Sequence, residues 1–356
     1  MGKNILLLFI VLVLGILLNS CNQPELSMSE EESKFSNLSG SYLGQKFPGQ
    51  SPELFAPGLI STEHNELKIS FSLNGKLCIY ITSNSYSSEC FLLFSELKDG
   101  NWLEPKEIPF SYGRENYERA TISPDGKKIF FTSKRSEGES QKEKNRNNIW
   151  VIEQTTTGWG EPKKIDFGEE FHYSCSYPSL AKNENLYFQG CTLDFKDCDI
   201  FLSKYENEKY LKPEKLSDSI NSTAYELHPA IAPDESYLIF DSGNREGNNF
   251  GSNDLYISFY DENNSWTQAV NMGTIINTSS TERRTFITYD GKYIFFVSNR
   301  VENPTLNNQS MTKSQVWNHL NRPSNGSEDF YWVDAKVIED LKPEHLKLRG
   351  NYEKEF

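Results

Sequence analysis

The sequence predicts an all-β fold: a single β-propeller of four-stranded blades, five of them with six as the alternative, its ring closed by an N-terminal strand that completes the last blade. Three observations predict it. A two-strand phrase recurs five times at a spacing of 51 to 58 residues. Each copy runs on into further short strand signals. The last copy lacks a fourth strand, and a segment of matching pattern stands unused near the other end of the chain. A period of this size marks a repeat architecture, and four short alternating strands per repeat are the pattern of a propeller blade.

The clearest copy is Glu282 to Arg300, ERRTFITYDGKYIFFVSNR. It holds a strand, a tight turn at Asp290-Gly291 and a second apolar strand, and Gly supplies the positive φ that such turns often need. Glu118 to Arg135 (ERATISPDGKKIFFTSKR), Glu226 to Ser242 (ELHPAIAPDESYLIFDS) and Glu66 to Ser83 (ELKISFSLNGKLCIYITS) repeat it. Ser176 to Gly190 (SYPSLAKNENLYFQG) is a weaker copy. Its ENLYFQG matches a viral protease recognition heptapeptide, but it lies where a blade strand is expected and reads as coincidence. The turn positions are Gly75, Gly126, Glu184, Glu235 and Gly291.

Third strands open on Glu89-Cys90-Phe91, Asn148-Ile149-Trp150, Asp199-Ile200-Phe201, Asp254-Leu255-Tyr256 and Asp329-Phe330-Tyr331. Fourth strands start at an aromatic with Pro three residues on: Trp102 to Pro105, Trp159 to Pro162 and Tyr210 to Pro213, with Trp266 and Ala269 in the next unit. Pro suits the start of an edge strand. The last unit runs instead into Lys342-Pro343. Pro52 to Thr62 (PELFAPGLIST) matches Pro213 to Thr223 (PEKLSDSINST) and is expected to fill the gap, removing the open edges. The expected blades are 66–110, 117–166, 173–217, 226–274, and 282–338 with 50–62.

The domain reading is a signal peptide at 1–20, a flexible acidic tether at 21–41, the propeller at 42–345 and a tail at 346–356. Ile5 to Leu18 is an apolar run behind Lys3, too short to span a bilayer and suited to a signal-peptide core. It ends in Leu18-Asn19-Ser20-Cys21, which resembles a bacterial lipobox, so Cys21 is the expected lipidation site and lipid the expected membrane anchor. The formal net charge of −14 argues against a nucleic-acid partner. Export permits disulfides. Cys191 with Cys198, or Cys78 with Cys90, could bridge, leaving an odd thiol such as Cys175.

The SPDG turn with its IFF-type strand, the Asp-Leu-Tyr strand start, the W-x-x-P segment, the Ile276-Asn277-Thr278 link and FAPGLIST resemble the TolB-type, WD-repeat-like β-propeller family of bacterial exported proteins. The likeness extends from Tyr42 to Lys342. Lys182-Asn183-Glu184 in the third unit departs from the Pro-Asp-Gly turn. The resemblance implies a periplasmic or cell-surface scaffold that binds proteins or envelope components.

In a propeller the first strand of each blade lines a central channel. The links into it share one rim with the loops between strands two and three. That rim carries the unusual residues. His64, Glu66, Glu118, Arg119, His172, Glu226, His228, Glu282 and Arg283 form the candidate ligand site at the channel mouth. Arg135, Arg245 and Arg300 follow the second strands and could pair with the acidic residues that open strand three. The longest insertions, Ser136 to Arg146, Glu246 to Ser252 and Val301 to Ser327, hang from the same rim, where binding usually resides. A Glu recurring at one repeat position also suits a bridge between blades. No G-x-S-x-G, HExxH, Walker A or EF-hand motif is present.

The expectation is a monomeric outer-membrane lipoprotein of the bacterial cell envelope, facing the periplasm or the cell surface. It would be non-catalytic, without cofactor or metal, and would bind a protein or an envelope polymer. The alternative is a polysaccharide-active enzyme, a glycosidase or metal-assisted lyase, using His and Glu at the mouth. That requires His64, His172 and His228, or two acidic residues, to converge.

Overall fold

The computed structural model describes residue 35 and residues 37–84, 89–108, 119–135, 146–245, 249–302 and 310–347. The signal peptide, Cys21, most of the tether, Glu118, residues 136–145 and 303–309 within insertions, and the end of the tail lie outside the described residues.

Five antiparallel sheets form a five-bladed propeller. The inner strands are Asn65–Phe71, Thr121–Ile122, Ser174–Leu180, Tyr225–Ile231 and Glu282–Ile287. They contact one another in ring order, the fifth returning to the first. The second strands are Leu77–Ser83, Lys128–Ser133, Leu186–Cys191, Tyr237–Gly243 and Tyr293–Ser298. The third are Cys90–Lys98, Asn148–Thr155, Cys198–Ser203, Asp254–Phe259 and Asp329–Asp334. Fourth strands are reduced to residue pairs, among them Lys106–Glu107 and Glu214–Lys215. The predicted aromatics at Trp102, Trp159 and Tyr210 lie just before these, in small return hairpins from the third strand. The ENLYFQG segment is a blade strand, and Gly190 leaves room for the Phe201 ring, 2.8 Å from where a Cβ would stand.

Why second strands are apolar throughout follows from the stacking of blades. Alternate residues of Tyr293–Ser298 feed different cores: Phe295 and Val297 one, Ile294 and Phe296 another. A sheet covered on both faces reads as a continuous apolar run rather than an alternating one.

The closing strand is Glu53–Leu54, paired with Trp332 and Tyr331. Phe55 packs 5.1 Å from the Trp332 ring and 5.0 Å from that of Phe295, and Tyr42 packs 5.0 Å from that of Phe71. The N-terminal segment thus lays aromatic surface across the seam between blades five and one. Each such ring, fully buried, contributes on the order of 1.5–3 kcal/mol.

The five turn residues share one backbone state. Gly75, Gly126 and Gly291 have φ of 62°, 76° and 73°; Glu184 and Glu235, which lack glycine's freedom, have 66° and 62°. The glutamates use their side chains between blades. Glu184 accepts from Lys128 Nζ at 2.8 Å. Glu235 accepts from Tyr187 Oη at 2.8 Å, Asn185 Nδ2 at 3.0 Å and Asn183 Nδ2 at 2.6 Å. Left-handed backbone costs an L-residue about 1–2 kcal/mol. Glu235→Gly is therefore expected to relieve that strain yet destabilise the protein by about 1 kcal/mol net, because three donors lose a charged acceptor. Urea unfolding measures the sign, and a gain in stability would show that the strain is the larger effect.

Cys191 and Cys198 face each other across strands two and three of the third blade and are disulfide-bonded. The alternative bridge, Cys78 to Cys90, does not form. Cys78 stands opposite Ser95, five residues along the strand from Cys90, or about 17 Å at strand rise. Cys175 is a buried thiol.

Candidate functional site

The recurrent glutamates of the candidate site belong to joints between blades. In the link before blade five, Asn277 clamps strand three of blade four. Its Oδ1 accepts from Leu255 N at 2.8 Å and its Nδ2 donates to Leu255 O at 3.0 Å. Thr278 then donates from N and Oγ1 to Glu282, at 2.9 and 2.8 Å. Asn221 and Ser222 repeat both halves on Ile200 and Glu226. The repeated Ile-Asn-Ser/Thr with Glu four residues on is thus a latch between a third strand and the next inner strand.

Two of the arginines after the second strands, Arg245 and Arg300, complete the latch. Arg245 Nη1 lies 2.8 Å from Glu226 Oε1 and 2.6 Å from Ile220 O. Arg300 Nη2 lies 3.1 Å from Glu282 Oε1 and 2.8 Å from Ile276 O. For Arg245 and Arg300 the expected pairing with the acid of strand three is therefore corrected: the partner is the glutamate of the inner strand. Asp254 is instead occupied by Phe250 N, Gly251 N and Asn271 Nδ2.

At the ring-closing joint the latch differs. Ser61 replaces Asn and bonds Phe330, and Thr62 donates to Glu66 as the others do. No arginine follows: Ser83-Asn84-Ser85 stands where Ser298-Asn299-Arg300 does. Glu66 instead faces Asp329, and both are fully buried. Burial, then the Asp329 charge, lifts the Glu66 carboxyl well above its usual range. Burial pushes Asp329 up to about 7. Asp329 Oδ1 is buried without a hydrogen-bond partner, and two like charges this close disfavour each other's ionised form, so the pair favours holding a proton.

The predicted site residues thus separate. Glu66, Glu226 and Glu282 are 0 % exposed, with their oxygens used inside the joints, and offer nothing to a ligand. His64 is exposed on a groove of about 430 Å³ with Tyr80, Asn321 and Pro323. His172 lines another of about 470 Å³ with Arg146 and Asp166. His228 is buried in the channel. The three histidines do not converge, and among the described residues no group of His, Cys, Asp and Glu is placed to hold a metal. Two acids do converge, Glu66 and Asp329, but no substrate can reach them.

What gathers at the channel is a set that sequence reasoning caught only in part: Arg119, His228 and Arg283 from the candidate list, joined by Lys68, Tyr177, Asp241, Arg284 and Glu328. A bulge in the inner strands of blades three, four and five interrupts the register. It sets Tyr177, His228 and Arg284 at φ of 54°, 50° and 57°, and bulges re-aim side chains. These three and Lys68 occupy one repeat frame, the second residue after the latch glutamate or its Cys175 counterpart. Aligning the repeats on that frame was the signal that could have found them.

Arg284 reaches across the channel from blade five to blade three, its Nε 3.3 Å from Tyr177 Oη. Arg119 stacks over the Tyr177 ring at 4.7 Å, and the His228 ring meets its edge at 3.8 Å. His228 Nδ1 bonds Asp241 at 2.7 Å. Burial lowers its pKa to about 4 despite that aspartate, so the imidazole is neutral at pH 7. Glu328 bridges Arg283 and Arg284, 2.6 Å from Arg284 Nη1. Burial raises the Tyr177 pKa, but Arg284 and Arg119 outweigh it and hold the phenol below its ordinary value. At the other end Tyr289 Oη crosses from blade five to Ile122 O in blade two, at 2.7 Å.

The chain is similar to TolB-type β-propellers. A TolB-type protein of Agrobacterium tumefaciens aligns at a TM-score of 0.45 and 14% identity, over 76% of this chain and 90% of that one. TolB of Acinetobacter baumannii aligns at 0.42 and 11%, over 76% and 57%. An α-L-arabinofuranosidase of Lactobacillus brevis aligns at 0.43 and 11%, over 77% and 91%. No family model and no curated protein matches the chain. Likeness at this level shows no more than a shared fold, so the function of this propeller has to be argued from its own mouth and rim.

Beside the mouth, the insertion of blade five carries a helix, Lys313–Leu320, capped by Thr312 and Gln315 in reciprocal hydrogen bonds. None of its residues is buried, and Trp317 is 63% exposed with Val316 and Leu320 beside it. The base of the insertion is tied into the ring: Ser324 N donates to Asp329 at 2.7 Å and Ser327 Oγ to Glu63 O at 3.1 Å.

Proposed function

We propose that this protein is a lipid-anchored scaffold of the bacterial cell envelope that binds a protein or an envelope polymer through its loop-rich rim, without catalysis. Anchoring rests on the lipobox at Cys21. The observation that carries binding is the exposed Val316-Trp317 pair and Leu320 on the insertion helix, beside the mouth. Exposed aromatic and aliphatic side chains on a capped helix are contact surface that the fold itself does not use.

The test is capture from solubilised envelope by the wild-type protein and by a triple variant, Val316→Ser, Trp317→Ser and Leu320→Ser. Deleting the whole insertion would be a poorer test, because Ser324 and Ser327 belong to the closing joint. The triple variant should melt within a few degrees of wild type and lose its partner. Full capture by a folded triple variant overturns the role of this rim.

A further inference from the structure

Donors at the channel mouth outnumber the acceptors the protein supplies. Lys68 is 4% exposed, and its ammonium, with three N–H groups, donates to Thr285 O at 2.6 Å. Among the described residues no carboxylate forms an ion pair with it. Arg283 Nε is buried and has no acceptor. Asp241, the nearest internal anion to Lys68 and His228, is taken up by His228 Nδ1, Asn253 Nδ2 and the Arg284 backbone N–H. Buried polar groups in folded proteins are nearly always satisfied, and those that are not call for a reason. These lie in a chain of net charge −14, at a place where the inner strands carry repeated left-handed strain. Strain of that kind clusters at ligand sites.

We infer that the channel mouth is a carboxylate-binding site, in which Lys68, Arg283 and Arg284 take up a carboxylate of the ligand beside the resident carboxylate of Glu328. The class follows from the donors. Guanidinium forks match the flat, two-oxygen carboxylate, and Glu328 already gives one oxygen to each of Arg283 and Arg284, so neither fork is filled by it. The Arg283 side chain, 31% exposed, is the point of entry; that of Arg284 is 13% exposed and lies deeper. This site deepens the scaffold reading: it gives the rim a chemical preference for an acidic partner.

The probe is malonate, titrated into the full soluble protein at constant ionic strength and followed by calorimetry and melting temperature, with malonamide and inorganic phosphate as comparisons. Malonate should bind and raise the melting temperature, and malonamide should do neither. Arg283→Gln and Lys68→Met should each weaken malonate by about tenfold or more, since each removes a charged hydrogen bond. Lys68→Met replaces a buried ammonium by an isostere of similar length, so it should fold at least as well as wild type. Burial, and then Arg284, lowers the Lys68 pKa to about 7, so malonate binding at pH 8 should take up a proton. That uptake, read from buffers of different ionisation enthalpy, should vanish in Lys68→Met. Equal or tighter binding of phosphate overturns the carboxylate assignment, and no binding of either anion overturns the site. The triple helix variant keeps the channel and should still bind malonate. Malonate failure with partner capture intact rejects this site alone; capture unaffected by the triple variant rejects the rim reading alone.

Discussion

Arg245→Ala is expected to destabilise the protein by about 3–5 kcal/mol, the usual cost of removing one partner from a buried ion pair. Arg245 and Glu226 side chains are 4% and 0% exposed. The arginine also donates to the carbonyls of Ile220 and Ser219, so its loss takes a donor from three acceptors at one joint and leaves the Glu226 charge without its cation. Burial already raises the Glu226 pKa, against the pull of Ser222 and Arg245. Without the arginine that carboxyl should hold a proton to still higher pH. The loss should therefore be largest at alkaline pH and shrink towards pH 5, where protonation relieves the orphaned charge. Denaturant unfolding at two pH values measures both. Arg245→Met should recover part of the loss through packing against Phe240 and Tyr256, over which the guanidinium now lies at 5.4 and 5.6 Å. A loss under about 1 kcal/mol at pH 8 would mean that the joint tolerates an open latch and that blade packing alone holds it.

The second large effect is a pH dependence set by Asp329. Its folded pKa, near 7, is raised above the unfolded value near 3.8 by burial. An acid of this kind imposes no penalty below about pH 4, where both states hold the proton. Between pH 4 and 7 the folded state keeps a proton that the unfolded chain releases, so stability falls as pH rises through that window. The span corresponds to a few kcal/mol. Asp329→Asn should flatten this slope, because an amide donates to Glu66 at every pH and Ser324 N retains its acceptor. The variant should match wild type near pH 4 and exceed it near pH 8. Parallel wild-type and variant curves would show that Asp329 does not hold its proton in the folded state. Because the pair sits where blade five meets blade one, the same measurement asks whether the ring opens first at its closing joint.

Much of the fold was legible because a propeller repeats its grammar. The turn state is one example: Glu184 and Glu235 sit at the frame of three glycines, so the frame gave their positions although residue type alone would have argued against a left-handed turn. The closing strand is another, since Pro52 to Thr62 carries the same cadence as the two complete links. Less could be read at the site. A glutamate before each inner strand reads equally as ligand group or as latch, and the difference lies in whether its oxygens meet solvent or Ser222, Thr278 and Arg245. The histidines illustrate the same limit. His64, His172 and His228 occupy similar places in the repeat, yet a shift of a few residues separates an exposed rim, a groove between blades and a buried channel wall.

The sequence by itself determined the four-strand unit and the strand that closes the ring, and predicted five blades with six as the alternative, because hydrophobic period and turn chemistry are local and recur every 50-odd residues; the structure settled on five. Tertiary structure alone decided which charges meet. The seam has no arginine after its second strand, so Glu66 turns to Asp329, and bulges in three inner strands swing Tyr177, His228 and Arg284 towards one axis. Pairings of that kind join residues up to about 260 positions apart, such as Glu66 and Asp329. They depend on side-chain direction at a register shift, a property of packed strands that a one-dimensional pattern does not carry.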